Sequence, residues 1–415
     1  MILARYLSLG APALAVLAAG RLDRRAIPGA ALAFAWAMTG IAALHEPATR
    51  CTWYSFAPVD GAYRGMPVDL WLGWALLWGP LPVLLRRRVP LIVPLGLLLW
   101  TDAIAMPALH SLVRLGPHWL IGELLGLTVV ALPAQLLGRW TADRRRLRER
   151  ALLQVVLFAG LSLWLLPSIA FTLGDGGWDR LTALRPSTLF LLAQAALLLA
   201  TPAVAAVREF VVRGGGTPFP WDPPVRLVTS GPYAYVANPM QVSAILLVLL
   251  LAAVTTSRTL AAGALLAVAF AAAVAAPHET TDLSLRYGAS WRTYRRHVRD
   301  WIPRPHPLPT GDELWLDEDC GPCSVLSRFF RRRGLPVRAA ADSPVLLWRA
   351  RYREDDGVRA VARALEQAGL GWAYAGWVLQ LPLLDRLAQI VVDALIAPPH
   401  PAGPPAGGHA GAAQG

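Results

Sequence analysis

Nine apolar runs constrain this chain more than any other feature of its sequence. Each run is long enough, or nearly so, to cross the hydrocarbon core of a bilayer as a helix. The 415 residues are 55% hydrophobic and only 16% charged, with a mean hydropathy of +0.44. These values are typical of a polytopic membrane protein and argue against a soluble domain. The runs lie at roughly 4–20, 27–45, 70–85, 89–108, 118–138, 151–173, 187–207, 240–254 and 259–276.

Arginines between the runs predict how the chain is oriented. Clusters follow the first, third, fifth and seventh runs, whereas the intervening loops hold only one or two arginines each. Because positive residues stay on the cytoplasmic side, we expect the N-terminus outside and the C-terminal part in the cytoplasm. The chain has no lysine, which is typical of a GC-rich bacterial genome, so we expect a bacterial inner membrane. The formal net charge of +12 is spread over these loops and forms no single patch, so no nucleic-acid partner is expected.

Composition divides the chain into a membrane part and a soluble part. Residues 1–150 are predicted to form a five-span bundle, and residues 151–306 to carry four more spans. Residues 313–397 are much more polar and are predicted to form a small soluble domain. A proline-rich linker, 307–312, joins the two parts and cannot be helical. Residues 398–415 are of low complexity and are predicted to be disordered.

A long polar loop interrupts the second membrane region. Residues 214–243 read GGGTPFPWDPPVRLVTSGPYAYVANPMQVS and separate the seventh run from the eighth on the predicted cytoplasmic side. A second segment, HETTDLSLRYGASWRTYRRHVRDWIPR at 278–304, follows the ninth run. Irregular backbone at a membrane is tolerated where it lines a cavity or packs against protein. The loop therefore indicates a binding site rather than a connector.

Together the two segments resemble the bacterial isoprenylcysteine carboxyl methyltransferase and phospholipid methyltransferase superfamily. The loop follows the family pattern G-x-G-T-P-x-P-x-D-P-P-x-x-L-V-x-x-G-P-Y-x-Y, and the resemblance covers roughly 151–306. It implies an integral-membrane enzyme that transfers the methyl group of S-adenosylmethionine to a lipophilic acceptor: an isoprenoid, a lipid, or a membrane-dissolved thiol or carboxylate. The matching residues of the second segment are Glu279, Leu283, Tyr287, Gly288, Tyr294, Trp301, Ile302, Pro303 and Arg304.

The resemblance and the chemistry of the methyl donor together select candidate cofactor-binding residues. A sulfonium is attracted to aromatic faces, and Trp221 and Trp291 could supply such faces in addition to the tyrosines of the two segments. A carboxylate of the protein suits the ribose or ammonium group of S-adenosylmethionine. Backbone N–H groups at the start of a helix suit the carboxylate of S-adenosylmethionine. Each aromatic residue taken alone also fits an interfacial belt, and each proline a turn into the helix. The candidates are Gly231, Tyr233, Tyr235, Asn238, Pro239, Glu279 and Tyr294.

Four positions depart from the family pattern. Ala237, Gln241 and Ser243 replace the basic residue, tyrosine and glycine of the core R-[HN]-P-x-Y-x-G, and Thr280 replaces the second glutamate. Because the family places donor contacts at such positions, two alternatives stay open. The membrane region is either a methyltransferase or a scaffold that binds a ligand without turning it over.

A Cys-Gly-Pro-Cys motif opens the soluble domain. Residues 314–333 read as a short apolar strand, an acidic turn, the motif and an amphipathic helix. This resembles the DCC family of thiol–disulfide oxidoreductases and implies a thioredoxin-like α/β fold, with Cys320 attacking and Cys323 resolving. A cytoplasmic thiol or disulfide partner is then expected. A zinc site would need additional ligands and is not predicted, and a stable disulfide is not expected in a reducing compartment.

The predicted fold is thus mostly α, a polytopic bundle with a small C-terminal α/β domain. Two acids, Asp102 and Glu123, lie inside apolar runs of the N-terminal bundle, where ionisable groups are usually paired or functional. They predict either paired groups or a second, outward site for a proton, metal or head group. Two further functions stay open: a membrane-anchored thiol–disulfide oxidoreductase, and a transporter or lipid-binding protein.

Overall fold

The structure, a computed structural model, describes residues 2–309, 311–316, 321–339, 347–350, 353–381 and 383–395. Most of these residues are helical, as predicted. The α-helices are α1 Ile2–Leu22, α2 Ile27–Arg50, α3 Val68–Trp78, α4 Pro80–Leu84, α5 Ile92–Ala108, α6 Trp119–Gly126, α7 Leu132–Ala142, α8 Leu147–Gly160, α9 Leu166–Thr172, α10 Trp178–Thr182, α11 Pro186–Glu209, α12 Pro239–Thr255, α13 Arg258–Phe270, α14 Ala276–His297, α15 Gly321–Arg331, α16 Gly357–Gln367, α17 Leu370–Leu379 and α18 Leu384–Leu395. The strands are β1 Tyr54–Phe56, β2 Ala62–Tyr63, β3 Met66–Pro67, β4 Val113–Leu115, β5 Glu313–Leu316, β6 Val337–Ala339, β7 Leu347–Ala350 and β8 Arg353–Asp356.

Several helices indicate a membrane protein in contact with a lipid bilayer. Within the described ranges, five are long and apolar enough to cross it: Ile2–Leu22, Arg24–Arg50, Trp119–Ala142, Leu147–Thr172 and Pro186–Gly214. Two bent pairs raise the count to seven if each is one span: Arg258–Val274 with Glu279–His297, and Leu370–Leu379 with Leu384–Ala394. The latter pair belongs to the region predicted to be soluble. Three other predicted runs form shorter apolar helices, Val68–Leu84, Ile92–Ala108 and Pro239–Thr255, so the nine-span count stays a prediction.

Prolines inside the long helices coincide with local widening of the helix. A π-helical turn precedes Pro133, Pro167 and Pro277, at Leu127–Ala131, Leu161–Leu165 and Ala271–Ala275. Proline has no N–H to donate, and its ring clashes with the carbonyl four residues earlier. A π turn moves that carbonyl aside, so the helix continues through the proline.

The chain forms two compact units, each built from separate stretches. The first comprises Met1–Leu184, Gly215–Val225 and Val248–Leu266. At its centre α2 packs against α1, α3 and α7. Ala33 and Ala37 are fully buried on α2, since small side chains let helix backbones approach closely. Strand β1 pairs antiparallel with β4, and β2 with β3, so these loops are also ordered.

The second unit comprises Arg185–Gly214, Arg226–Leu247 and Ala267–Gly415. It contains a four-stranded mixed sheet in the order β6-β5-β7-β8, with β5 parallel to β6 and antiparallel to β7. The apolar residues of β5, Leu314 and Leu316, pack with residues of α15 and α16. The units cut across the predicted boundaries, because the C-terminal residues cluster with part of the 214–243 loop rather than by themselves. The predicted tail at 398–415 lies outside the described residues.

Candidate functional site

The second half of the loop turns sharply at Gly231. This residue begins the short turn Gly231–Ala234 with φ near +60°, a backbone conformation that L side chains rarely adopt. A Cβ here would lie 2.7 Å from Cγ of Glu209, so a larger residue would also collide with α11. Glycine is therefore required at this position for both its conformation and its size. The structure thus shows a tight turn at Gly231, and the predicted contact of Gly231 with the methyl donor stays a prediction.

Backbone hydrogen bonds join the loop to the later segment. Ala237 donates its N–H to the Arg299 carbonyl oxygen at 2.9 Å, and Leu308 donates to the Ala234 carbonyl oxygen at 2.9 Å. Helix α14, which carries most of this segment, has a non-helical residue at Gly288. The second half of the loop and the later segment therefore lie side by side in one compact unit, although some 35 residues separate the two segments in sequence.

Three aromatic residues and one acid form the core of the candidate site. The Tyr294 hydroxyl donates to the Tyr233 carbonyl oxygen at 2.9 Å, and the Trp291 ring centroid lies 5.7 Å from that of Tyr294. Glu279 is exposed and near enough to the Tyr233 hydroxyl to interact with it electrostatically. We call Tyr233, Glu279, Trp291 and Tyr294 the aromatic cluster.

Two buried polar atoms of the aromatic cluster have no hydrogen-bonding partner in the described part of the chain. They are the hydroxyl oxygen of Tyr233 and the indole nitrogen of Trp291. Tyr233 is 5% exposed and Trp291 is 7% exposed, so neither group is well hydrated. Because buried polar groups are nearly always hydrogen-bonded, these two groups in one cluster mark a place where a ligand or ordered water fits.

The electrostatic surroundings keep the Tyr233 hydroxyl protonated. Burial raises its pKa well above the usual value, and the nearby Tyr294, Glu279 and Glu209 raise it further. The group is therefore a hydrogen-bond donor at every physiological pH. Glu279 and the aromatic faces favour a cation, although Arg295 already lies 5.6 Å from the Trp291 ring centroid. The arrangement suits a ligand that carries both a cation and an acceptor oxygen.

Asn238 and Pro239 lie at the start of α12. Asn238 donates its backbone N–H to the Asp300 carbonyl oxygen at 3.2 Å, and Val242 donates to the Asn238 carbonyl oxygen at 3.0 Å. The Asn238 side-chain amide lies 3.4 Å from an oxygen of the Asp300 carboxylate. Both residues thus fix the entry of the chain into the helix, with Pro239 in its first turn, which is where proline is tolerated.

Tyr235 belongs to the packing between the loop and the C-terminal helices. Its side chain is fully buried, and its hydroxyl donates to the Glu366 carbonyl oxygen at 2.7 Å. Its ring meets Trp377 edge to face, with centroids 5.8 Å apart. Burial raises the pKa of this hydroxyl. Its one donor and its ring thus contact protein, and the predicted contact of Tyr235 with the methyl donor stays a prediction.

A buried ionic cluster lies on the other side of the loop. Glu209, at the end of α11, is 1% exposed, and its carboxylate accepts a hydrogen bond from the Ser230 hydroxyl at 2.6 Å. The Arg363 guanidinium of α16 lies 2.6 Å from the same carboxylate, and Glu366 lies 3.0 Å from Arg363. We call Glu209, Ser230, Arg363 and Glu366, with the surrounding Arg208, Arg213, Asp355 and Gln380, the ionic cluster.

The charges of the ionic cluster balance. Three arginines face three acids, and Gln380 donates to Glu366 at 2.7 Å. Burial alone lowers the pKa of Arg363, but the attraction of Glu209 and Glu366 outweighs it and raises the pKa above its usual value. Arg363 therefore stays charged, and the cluster connects α11, the loop and the C-terminal domain in one network.

The first half of the loop belongs to the other compact unit. Thr217 donates its hydroxyl to the Asp222 carboxylate at 3.0 Å, and Arg150 lies 2.9 Å from the same carboxylate. Arg150 and Asp222 are both buried, so the D-P-P part of the motif anchors this stretch to α8. Trp221 next to it is 67% exposed. Asp222 and Thr217 thus serve the shape of the loop.

Cys323 lies in the first turns of α15 and is buried against the sheet. Strand β5 ends at Leu316, and the helix begins at Gly321, so the second cysteine of the motif is on the helix that follows the first strand of the domain. Cys320 lies outside the described residues. Across the described ranges, no group of three or more His, Cys, Asp or Glu side chains could hold a metal ion.

Sequence reasoning missed the ionic cluster. Arg208 and Arg213 were interpreted as topology signals, and Glu209 between them was not singled out. One signal was present: a lone carboxylate at the end of an apolar run, with arginines on both sides. Arg363 carried no such signal, because an arginine in an amphipathic helix is usually on its solvent face.

Comparison with protein-family models, with curated proteins and with solved structures gives no match. The proposed function therefore depends on the residues and their geometry.

Proposed function

We propose that the chain is an integral-membrane methyltransferase that uses S-adenosylmethionine and methylates a lipophilic acceptor. The observation that carries the proposal is the pair of unpartnered buried atoms, on Tyr233 and Trp291, beside the Glu279 carboxylate. S-adenosylmethionine offers a sulfonium, an ammonium, a carboxylate and ribose hydroxyls. The aromatic cluster contains a matching group for each kind: aromatic faces, an acid and hydrogen-bond donors.

The residues have distinct roles in this proposal. Glu279 is exposed and would hold the ammonium or ribose of the donor, and the Tyr233 hydroxyl would donate to one of its oxygens. The bound donor supplies an electrophilic methyl group, and the sulfur keeps the electron pair of the broken bond as the acceptor heteroatom forms the new one. An acceptor that reaches the site as a carboxylate or thiolate has no proton left to lose, so alignment and exclusion of water supply most of the rate. The acceptor is an isoprenoid, a lipid, or a membrane-dissolved thiol or carboxylate.

The departures from the family pattern bear on the donor contacts. Ala237 stands where the family has a basic residue, but its contact to the later segment is through the backbone, which any residue can make. Gln241, Ser243 and Thr280 remove a tyrosine, a glycine and a glutamate from the pattern. Glu279 then carries by itself the negative charge that two acids share in the family, so we expect removal of its carboxylate to weaken donor binding strongly.

We also propose that the C-terminal domain is thioredoxin-like and exchanges thiols through Cys320 and Cys323. The mixed sheet, with its parallel β5–β6 pair, and the helix that follows β5 support this fold. The proposed topology has nine spans in a bacterial inner membrane, with the N-terminus outside and this domain in the cytoplasm. A cytoplasmic thiol or disulfide would be its partner.

Donor binding tests the methyltransferase directly. Titration calorimetry of the purified full chain with S-adenosylmethionine should show saturable binding. Glu279→Gln should weaken it at least tenfold, since hydrogen bonds to charged groups contribute about 1.5–3 kcal/mol. Asp282→Asn, which removes an exposed carboxylate from the same helix, is the matched control and should change little. Saturating donor that produces no heat and no binding would reject the proposal.

A second function, that of a membrane-anchored thiol–disulfide oxidoreductase, is favoured by one observation. Tyr235, a residue of the loop pattern, is committed to packing against the C-terminal helices. The membrane region would then serve as a scaffold for the redox domain. Insulin reduction by wild type, Cys320→Ser and Cys51→Ser separates the alternatives, because Cys51 is the only other cysteine outside the motif. Equal rates for all three proteins would exclude this function. Substrate flux in proteoliposomes, with neither methyl transfer nor thiol–disulfide exchange, would instead indicate a transporter.

A further inference from the structure

The first compact unit contains a cavity that no residue of the aromatic cluster or the ionic cluster lines. It contains about 430 Å³ of empty space, part of it open to the surroundings, and an inner volume of about 40 Å³. Residues from α2, α3, β1, α5 and α6 line it. The rings of Tyr54, Phe56, Trp74 and Trp78 form much of its wall, with Glu123 among them.

One of two neighbouring buried acids, Glu123, lines this cavity, and the described residues include no ion pair with either acid. Asp102 is 4% exposed and Glu123 is 3% exposed, and their carboxyl groups are neighbours. The Tyr54 hydroxyl lies 3.3 Å from one Glu123 oxygen. The other Glu123 oxygen and one Asp102 oxygen have no hydrogen-bonding partner in the described part of the chain, although the two carboxyl groups lie close enough to interact with each other. Uncompensated carboxylates in a membrane bundle are costly and persist where they have a function.

We propose that this cavity binds the protonated primary amine of a small molecule or of a lipid head group. An ammonium group supplies the missing positive charge and up to three donors for the unpartnered carboxylate oxygens. Aromatic walls stabilise such a cation through their faces. The cavity has room for one –NH₃⁺ group, with the rest of the ligand towards its open side.

The wall chemistry favours an organic cation over a metal ion. Calcium and magnesium take about six or more oxygen ligands. Here the side-chain oxygens of the wall are those of the Glu123 carboxyl group and the Tyr54 phenol, with the Asp102 carboxyl group next to Glu123, whereas four rings line the same space. No group of three acid, histidine or cysteine side chains capable of holding a metal occurs within the described ranges. A primary amine satisfies the charge with the groups present.

Calorimetry on the full chain, purified in a detergent without an amine, tests the site. Ethanolamine should bind saturably, and ethylene glycol, its neutral analogue, should bind at least about tenfold more weakly. Choline, whose trimethylated head has no N–H to donate to the carboxylate oxygens, should bind more weakly than ethanolamine. Equal binding of ethanolamine and ethylene glycol, or no saturable binding of ethanolamine, overturns the proposal even if no variant can be purified.

Variants then assign the binding to these residues. Glu123→Gln keeps the shape and removes the charge, so ethanolamine affinity should fall at least about tenfold. Glu46→Gln is the matched control, because Glu46 lies next to His45 of the cavity wall but is itself exposed. Unchanged affinity in a folded Glu123→Gln protein contradicts the site, as does an equal loss in both variants.

Nanodiscs distinguish the two sources of the amine. If a lipid head group is the ligand, discs of phosphatidylethanolamine should compete with added ethanolamine, and discs of phosphatidylglycerol should not. If the ligand is a free amine, ethanolamine should bind equally in both. Either result supports an ammonium site and identifies its source.

Discussion

The aromatic cluster and the ionic cluster both lie at the second half of the loop, yet the charged groups of the ionic cluster are ion-paired, whereas two polar groups of the aromatic cluster are buried without partners. In the ionic cluster, Glu209 accepts from Ser230 and faces Arg363 at 2.6 Å, and the charges balance. In the aromatic cluster, the Tyr233 hydroxyl and the Trp291 indole N–H are buried without partners. Both lie in one compact unit, so the difference is not one of general packing quality.

The difference separates a structural device from a binding site. A buried ion network whose charges balance fixes the arrangement of its elements, and breaking it is costly. Orphan donors lower stability and persist where something outside the chain completes them. The ionic cluster would then hold the loop in the shape that keeps the aromatic cluster ready for its ligand.

Removal of Arg363 should have the largest effect. Arg363→Met leaves Glu366 buried without its cation and leaves Glu209 only the more distant Arg208 and Arg213, so the unfolding free energy should fall by about 3–5 kcal/mol. Thermal unfolding of the purified protein, followed by circular dichroism, measures it. Arg359→Met, on the same helix but paired with Asp385 at the surface, should cost at most about 1 kcal/mol. Similar losses in both variants would show that the ionic cluster has no special role.

Removal of the Ser230 hydroxyl should have an intermediate effect. Ser230→Ala deletes a hydrogen bond to a charged carboxylate and should cost about 1.5–3 kcal/mol. The adjacent Thr229 is half-buried, and Thr229→Val, which keeps its shape, should change the unfolding midpoint much less. If the two variants unfold at the same temperature, the Ser230–Glu209 contact does not stabilise the loop.

Two matched tyrosines give the smallest and most diagnostic difference. Tyr294→Phe removes a hydrogen bond to the Tyr233 carbonyl oxygen and should cost about 1 kcal/mol. Tyr233→Phe removes a hydroxyl without a partner, so stability should be unchanged or slightly higher, while the affinity for S-adenosylmethionine falls. Loss of stability in Tyr233→Phe with unchanged donor affinity would contradict the comparison.

Local features of this fold could be predicted from the sequence, and distant pairings could not. Apolar runs predicted the helices, because helix formation in a membrane depends on the local hydrophobicity of each run. The three short runs fell below the length of a span because loops begin next to them. Tyr235 was predicted to contact the donor, but its partner, Glu366, lies 131 residues away, and no local pattern announces such a contact. Tyr233, Glu279 and Tyr294 were selected through the family resemblance of two separate segments, and their role at a donor site stays a prediction.

The most direct measurement is an electron cryo-microscopy structure of the full chain with S-adenosylhomocysteine, the product form of the donor. We expect density for the ligand in contact with Glu279, with an acceptor atom of the ligand within hydrogen-bonding distance of the Tyr233 hydroxyl. Density elsewhere in the molecule, or none at saturating ligand with both side chains well resolved, would contradict it.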